Sequence, residues 1–193
     1  MKGGLPRFIV VTLGFLPVTF AIWYFAGPLV TWPVRLICDA VSSAAFADIV
    51  RAVEQHRAEV TFVTSLRPGS VQGPGAGAIT VDVNVLLYSY GMPMFAALTL
   101  AAREPGWWRK LVVGIVVLLP VVAFGVIADC LKNLTFSAGP LVASQTGFSL
   151  AQRQVIAFAY QFGALILPTV APAAVWVLSH RRFLERMRMT GAA

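Results

Sequence analysis

Charged residues are scarce in this chain, and their scarcity excludes an ordinary soluble domain. Of 193 residues, 58% are hydrophobic and only 12% are charged, and the mean hydropathy is +0.78. Soluble domains carry about 25% charged residues. One soluble core cannot hide this much apolar surface from water, so the sequence predicts a protein that sits in a lipid bilayer.

Cysteine and histidine are rare too, which removes most metal and nucleophile chemistry. The two cysteines form neither a C-x-x-C pair nor a zinc pattern, and His56 and His180 each stand alone. We therefore expect no metal, no cofactor and no catalytic residue, and we favour a protein that is not an enzyme.

Acidic residues are outnumbered, with 8 Asp and Glu against 15 Lys and Arg and a net charge of +7. A nucleic-acid-binding domain gathers its basic residues in a patch or stripe. Here the basic residues flank apolar runs instead, as membrane topology signals do. We therefore expect no nucleic-acid partner.

Long apolar runs are what the chain does have. They predict a membrane all-α bundle of four transmembrane helices, each about 26 Å long or longer as a helix. The predicted spans cover about 8–26, 86–102, 111–131 and 155–179. Ser149 and Gln152 have the spacing of a capping box, which predicts a helix start just before the fourth span.

The stretch 27–85 between the first two spans is different in kind. Charges at helical spacing predict an interfacial helix over 33–55. Two runs with alternating apolar residues, EVTFVTSL and AITVDVNV, predict an antiparallel β-hairpin over 59–85 whose Gly- and Pro-rich linker is RPGSVQGPGAG. A lone hairpin is marginally stable in water, so it should lean on the helix, the membrane or a partner.

The basic residues also predict the orientation. Nine lie in short flanks of the spans: Lys2, Arg7, Arg103, Arg109, Lys110, Arg181, Arg182, Arg186 and Arg188. The other six are spread over longer segments: Arg35, Arg51, Arg57, Arg67, Lys132 and Arg153. This bias predicts that both termini lie in the cytoplasm and that the hairpin lies outside.

Five residues are candidates for an interaction site. Asn84 lies where strand becomes span, Tyr88 and Tyr90 suit the membrane interface, Pro93 should kink the second span, and Asp129 lies near the end of the third.

Cysteine pairing and chemistry stay open. Cys38 and Cys130 both fall in the predicted outer layer, so a disulfide between them is one possibility and two ordinary buried thiols are another. A membrane enzyme using Cys130, His56 or Asp129 is an alternative function. A small transporter component, with its spans broken by proline, is a third.

One run has a family resemblance. VDVNVLLYSYGMPMFAALTLAA, preceded by TFVTSL with a Gly-rich loop and by an early LPRF, resembles the exosortase H-associated membrane proteins. Val85 departs from the proline that the family pattern would place after Asn84. Exosortases are membrane-embedded, transpeptidase-like enzymes that process proteins carrying a C-terminal sorting segment. The resemblance implies an accessory protein of the bacterial inner membrane that binds such an enzyme or its substrate, and it implies no catalytic residues to carry over.

Overall fold

The computed structural model describes residues 4–67 and 78–191, and this part of the chain is mostly helical. Its α-helices are α1 Gly4–Phe25, α2 Gly27–Ala45, α3 Leu86–Ser89, α4 Gly91–Ala102, α5 Trp107–Lys132, α6 Pro140–Gln145, α7 Leu150–Gln161, α8 Leu167–Ser179 and α9 Arg181–Gly191. Two π-helical segments, Asn133–Ser137 and Phe162–Ile166, follow α5 and α7. The predicted linker of the hairpin falls at 67–77, almost wholly outside the described residues.

Three stretches of helix are long and apolar enough to cross a membrane: Leu5–Phe25, Trp107–Ser137 and Leu150–Ser179. They contain most of the first, third and fourth predicted spans. The second predicted span is a shorter apolar helical stretch, Leu86–Ala102, so a fourth crossing stays a prediction.

This shorter stretch breaks at Tyr90, between α3 and α4. Pro93 has no N–H to donate to Ser89, four residues earlier, and its ring crowds that carbonyl. Ser89 is where α3 ends, as expected from the predicted kink. Because Pro93 then falls in the first turn of α4, α4 itself loses no internal hydrogen bond.

Helices α1 and α4 run side by side in opposite directions. The indole of Trp23, near the end of α1, donates to the Ser89 hydroxyl at 3.1 Å, just before α4 begins. At the other end of α1, the ring of Phe8 lies 5.8 Å from that of Trp176 and 5.2 Å from that of Phe183. Contacts near both ends of α1 thus hold this helix against the rest of the bundle.

The strands β1 Val50–His56, β2 Glu59–Thr64 and β3 Thr80–Asn84 form an antiparallel sheet in the order β1-β2-β3. The predicted alternation is confirmed for β2 and β3. Their buried side chains are Val60, Phe62, Thr64, Val81 and Val83, and Leu66 and Val85 just beyond the strands are buried as well. This apolar face joins the core of the helical bundle.

The structure corrects the predicted interfacial helix over 33–55. The helix α2 ends at Ala45, and residues from Val50 onward form β1, so the hairpin becomes two strands of a three-stranded sheet. The register slips between Val50 and Ala52, which places Val50 and Val53 on the same buried face. Asp48 and Arg51, two of the charges at helical spacing, lie instead in the turn before β1 and on β1 itself. The bulge at Val50 and Ala52 adds an apolar spacing of three residues, which also fits a helix.

Candidate functional site: a polar cluster beside the sheet

The first candidate site surrounds the carboxylate of Asp129, in the last turn of α5. The phenol of Tyr88, on α3, is hydrogen bonded to this carboxylate. Asn133 donates to it from its Nδ2 at 3.1 Å, and the Lys132 ammonium lies 3.5 Å away. The structure therefore joins two of the predicted interaction residues, Tyr88 and Asp129, across 41 positions of sequence.

Lys132 extends this cluster toward α7. Its ammonium donates to Oδ1 of Asn133 at 3.1 Å and lies 4.7 Å from the ring centre of Tyr160. A cation over an aromatic face is attracted by the ring, more so when water is displaced. Tyr88, Asp129, Lys132, Asn133 and Tyr160 together form what we call the outer polar cluster. It ties α3, α5 and α7 to one another.

Both π-helical segments border the outer polar cluster. Asn133 opens the first, and Tyr160 lies two residues before the second. Single π-helical turns often occur at functional sites. The close approach behind Tyr88 needs glycine: a Cβ on Gly125 would lie 2.5 Å from Cδ1 of the Tyr88 ring. The backbone of α5 thus has no room for a side chain at Gly125, where the Tyr88 ring packs against it.

A second cluster occupies the opposite end of the bundle, around Glu104 in the loop between α4 and α5. Glu104 is only 5% exposed and forms salt bridges with Lys110 and Arg186. His180, fully buried, stacks on Trp176 with ring centres 5.1 Å apart and makes a 3.1 Å hydrogen bond to the Trp176 carbonyl through Nδ1. We call Glu104, Lys110, His180 and Arg186 the basic-end cluster.

The charges of the basic-end cluster determine the direction in which the pKa of the Glu104 carboxyl group is shifted. Burial by itself raises the pKa of this carboxyl group. The hydrogen bond and charge of Lys110, with the charges of His180 and Arg186, outweigh burial and leave the pKa below the ordinary 4.5. Burial also lowers the pKa of His180 from 6.5. Both shifts favour a charged Glu104 beside a neutral His180 at neutral pH.

These shifts predict a pH dependence for the variant Glu104→Gln. A carboxyl group with a lowered pKa stabilises the fold above its unfolded value, and this contribution is lost as the pH falls through the folded pKa. In detergent micelles, wild type should melt at a higher temperature than Glu104→Gln at pH 7, and the difference should shrink below pH 4.5. Protonation of His180 destabilises both proteins as the pH falls below about 6.5, and it destabilises Glu104→Gln more, because that variant lacks the carboxylate that raises the His180 pKa. A difference that stays constant down to pH 3 would contradict the assignment.

Comparison with known proteins decides the family. A family model described as exosortase H-associated membrane protein matches residues 2–183, almost the whole chain. This chain belongs to the exosortase H-associated membrane protein family. No curated protein and no solved structure matches it.

Three other predicted residues of this family member lie outside the outer polar cluster. Asn84 ends β3, and its Oδ1 accepts a 2.9 Å hydrogen bond from the Leu86 amide, which holds the turn that leads into α3. Tyr90 occupies the break between α3 and α4, and Pro93 is buried in the first turn of α4. Their positions are structural, at the corner where sheet becomes helix.

Several important residues had no sequence signal that we used. Glu104 looked like part of a short loop because its partner Arg186 lies far away in the sequence. His180 looked isolated, although Trp176, on which it stacks, lies only one helical turn before it. The predicted capping box is confirmed: Ser149 accepts from the Gln152 amide at 3.3 Å, and Gln152 accepts from the Ser149 amide at 2.8 Å. The sequence thus predicted a motif that is complete within four residues, but it did not predict clusters whose members are about eighty residues apart.

Both cysteines are buried, and each is a free thiol in the structure. A disulfide between them stays a prediction. Burial, with the nearby charge of Asp39, raises the pKa of Cys38 to about 12. A thiol in this state carries almost no nucleophilic thiolate at neutral pH. Cys38 also lies 4.0 Å from the Ala123 carbonyl, as a small residue packed between α2 and α5 would.

The arrangement of the outer polar cluster suits holding and recognition. Its one carboxylate is partnered by a cation and by two hydrogen-bond donors. Within residues 4–67 and 78–191, no three His, Cys, Asp or Glu side chains are placed to hold a metal ion. A groove of about 680 Å³ between α2, α5 and α7 has an apolar lining that includes Ile37, Phe124 and Val155, and it contains neither charged cluster.

Proposed function

We propose that this chain is a non-catalytic accessory protein of an exosortase-type sorting system in the bacterial inner membrane. In this proposal the three-stranded sheet lies outside the cytoplasm and binds the exosortase or its sorted substrate. The observation that carries the proposal is the family match over residues 2–183.

Four crossings of the bilayer, with both termini in the cytoplasm, are part of the proposal. The stretch Leu86–Ala102 leads from the sheet to the basic-end cluster. It runs beside α1 from the level of Trp23 toward that of Phe8, which are about 22 Å apart along a helix. This distance supports a short fourth crossing. The gathering of Arg103, Lys110 and α9 at one end supports a cytoplasmic placement of that end.

Labelling with a membrane-impermeant maleimide tests this topology. The native thiols are buried, so an introduced cysteine supplies the signal. In spheroplasts, Thr61→Cys on the sheet should be labelled, and Arg103→Cys should be labelled only after the membrane is opened. Labelling of both before opening, or of Arg103→Cys alone, would overturn the proposed orientation.

The connection between sheet and bundle supports an accessory role. The strand β3 passes through Asn84 into α3, and Tyr88 on α3 is hydrogen bonded to Asp129 on α5. A partner that binds the sheet is thereby connected to the helices by covalent chain and by the outer polar cluster. Force or displacement at the sheet reaches the bundle through these residues.

The residues of the enzyme alternative have separate surroundings. Cys130 is 1% exposed in α5, whereas His56 is exposed at the end of β1 and pairs with Glu59 across the turn. Asp129 is held by the outer polar cluster. Nucleophile chemistry needs a thiol and a base within hydrogen-bond reach. The accessory function is therefore better supported than the enzyme.

Co-purification in mild detergent tests the proposed function. An affinity-tagged chain should retain the exosortase encoded in the same genome, or its sorted substrate, and a deletion strain should process that substrate poorly. No association together with normal processing in the deletion strain would overturn the proposal.

Replacing Asn84 separates partner coupling from membrane insertion. Asn84→Ala removes the acceptor of the Leu86 amide at the start of α3, which costs about 1 kcal/mol, and loosens the corner between sheet and bundle. Insertion depends on the apolar run that follows, so association should fall more than the amount of protein in the membrane fraction. Asn84→Ser retains a side-chain oxygen that can accept from an amide two residues on and is the matched control. Equal losses of association and insertion in Asn84→Ala would refute this role.

A further inference from the structure

The outer edge of β3 has backbone groups that the sheet does not use. The amide of Val85 donates to Ala58 at 2.9 Å, and the amide of Thr64 donates to the Ile79 carbonyl at 3.0 Å. In an antiparallel pair, the residues that bond across alternate along each strand. Val81 and Val83 therefore bond to β2, and Thr80, Asp82 and Asn84 direct their backbone N–H and C=O groups away from it.

The two edges of the sheet differ in how they are covered. At the β1 edge, Arg35 on α2 donates from Nε to the Val53 carbonyl at 2.9 Å. Gln55 on the same strand donates to the Pro28 carbonyl at 2.9 Å. At the β3 edge, no described residue makes a comparable bond to the backbone of Thr80 or Asp82, and both residues are exposed. Proteins usually protect an edge strand, so an open one marks a place where another strand can pair.

The outward face of the sheet carries three carboxylates, whereas its exposed arginines, Arg51 and Arg57, lie on β1 and in the turn after it, away from β3. Glu54, Thr61 and Asp82 are paired in one row across the three strands, and Glu59 pairs with Asn84 in the next row. Residues paired across an antiparallel sheet project to the same side. Glu54, Glu59 and Asp82 thus share the exposed face, opposite the buried valines.

The charge of these carboxylates decides whether a second copy of this chain or a basic strand from another protein fits the edge of β3. A second copy pairing β3 with β3 around Asp82 would oppose like charges, which destabilises a sheet. A lysine or arginine on an added strand would instead lie beside Asp82, about 5 Å away across the new strand pair, which is within the Debye length of about 8 Å at physiological salt.

We propose that the free edge of β3 binds an extended, Lys- or Arg-bearing segment of the partner protein as an added strand. Main-chain hydrogen bonds to Thr80, Asp82 and Asn84 would supply affinity, and Asp82 would select the basic side chains. The identity of that partner rests on the proposed function. Because β3 ends where the apolar helix begins, the added strand would lie close to the membrane surface.

Two labelled peptides of about six residues test this edge on the full chain in nanodiscs. One alternates lysine with valine, and the other alternates glutamate with valine. The lysine peptide should bind, with an affinity that falls as salt is raised, and the glutamate peptide should not. Failure of the lysine peptide to bind, or equal binding of both peptides, would overturn the proposal.

Three variants locate the binding. Thr80→Pro removes an outward N–H at the first residue of β3, a position where proline is tolerated, and should weaken binding of the lysine peptide about tenfold. Asp82→Asn removes only the charge and should weaken binding about threefold with a flatter salt dependence. Gln55→Pro alters the β1 edge and is the matched control, expected to leave binding unchanged. A loss in Gln55→Pro as large as that in Thr80→Pro would overturn the proposal.

A charge reversal keeps the proposal falsifiable if proline unfolds the sheet. Asp82→Lys should bind the glutamate peptide in preference to the lysine peptide, and an unchanged preference would count against the edge. Co-purification then separates the two proposals. If wild type and Thr80→Pro retain the exosortase equally, the edge proposal fails and the accessory function stands. If the peptides behave as expected but wild type retains neither exosortase nor substrate, the accessory function fails.

Discussion

Gly91→Ala is expected to destabilise the protein by about 1–3 kcal/mol, because the added methyl group has no space. A Cβ on Gly91 would lie 2.0 Å from the carbonyl oxygen of Pro168 and 2.4 Å from Cγ of Pro172. Both belong to α8, where a backbone carbonyl and a proline ring cannot turn aside as a flexible side chain can. The substitution must push α4 away from α8. Membrane helices commonly use small residues for such close contacts.

The control for this prediction is Gly14→Ala on α1. A Cβ on Gly14 meets nothing within 4 Å, and alanine is the better helix former by about 1 kcal/mol. The free energies of unfolding, measured by denaturant titration in detergent micelles, should therefore change in opposite directions for the two variants. A Gly91→Ala protein as stable as wild type would show that α4 and α8 do not make this contact.

Asp129→Ala should lower the free energy of unfolding by about 1–3 kcal/mol, mainly because it leaves the hydroxyl group of Tyr88 without its acceptor. Tyr88 is 5% exposed, and without the carboxylate its hydroxyl group becomes a buried donor with no acceptor. Lys132 contributes less, because its side chain is 27% exposed and water can replace the ion pair. The loss should therefore depend on Tyr88 more than on Lys132.

A double-mutant cycle measures this dependence. Tyr88→Phe should destabilise wild type, but it should cost much less in the Asp129→Ala background, with a coupling free energy of about 1 kcal/mol. Asp129→Asn is the matched control, since it retains an oxygen that can accept from Tyr88. Additive losses in the cycle would mean that Tyr88 and Asp129 do not stabilise the fold together.

Local patterns in the sequence were sufficient for much of the architecture. Alternation of apolar residues predicted β2 and β3 with the correct buried faces, because neighbouring side chains of a strand project to opposite sides. Ser149 and Gln152 predicted the start of α7 because a capping box is complete within four residues. The apolar runs predicted the three long helices, because the hydrocarbon thickness sets their length.

The tertiary structure decided what depends on distant partners. The strand β1 exists because β2 pairs with it, and its bulge gave Val50 and Val53 a spacing that also fits a helix. Asp129 contacts Tyr88, and Glu104 contacts Arg186, only because separate parts of the chain pack together. The sequence by itself determined which segments are apolar, which alternate and where charges fall. Packing determined which of them meet, because that depends on the geometry of the whole bundle.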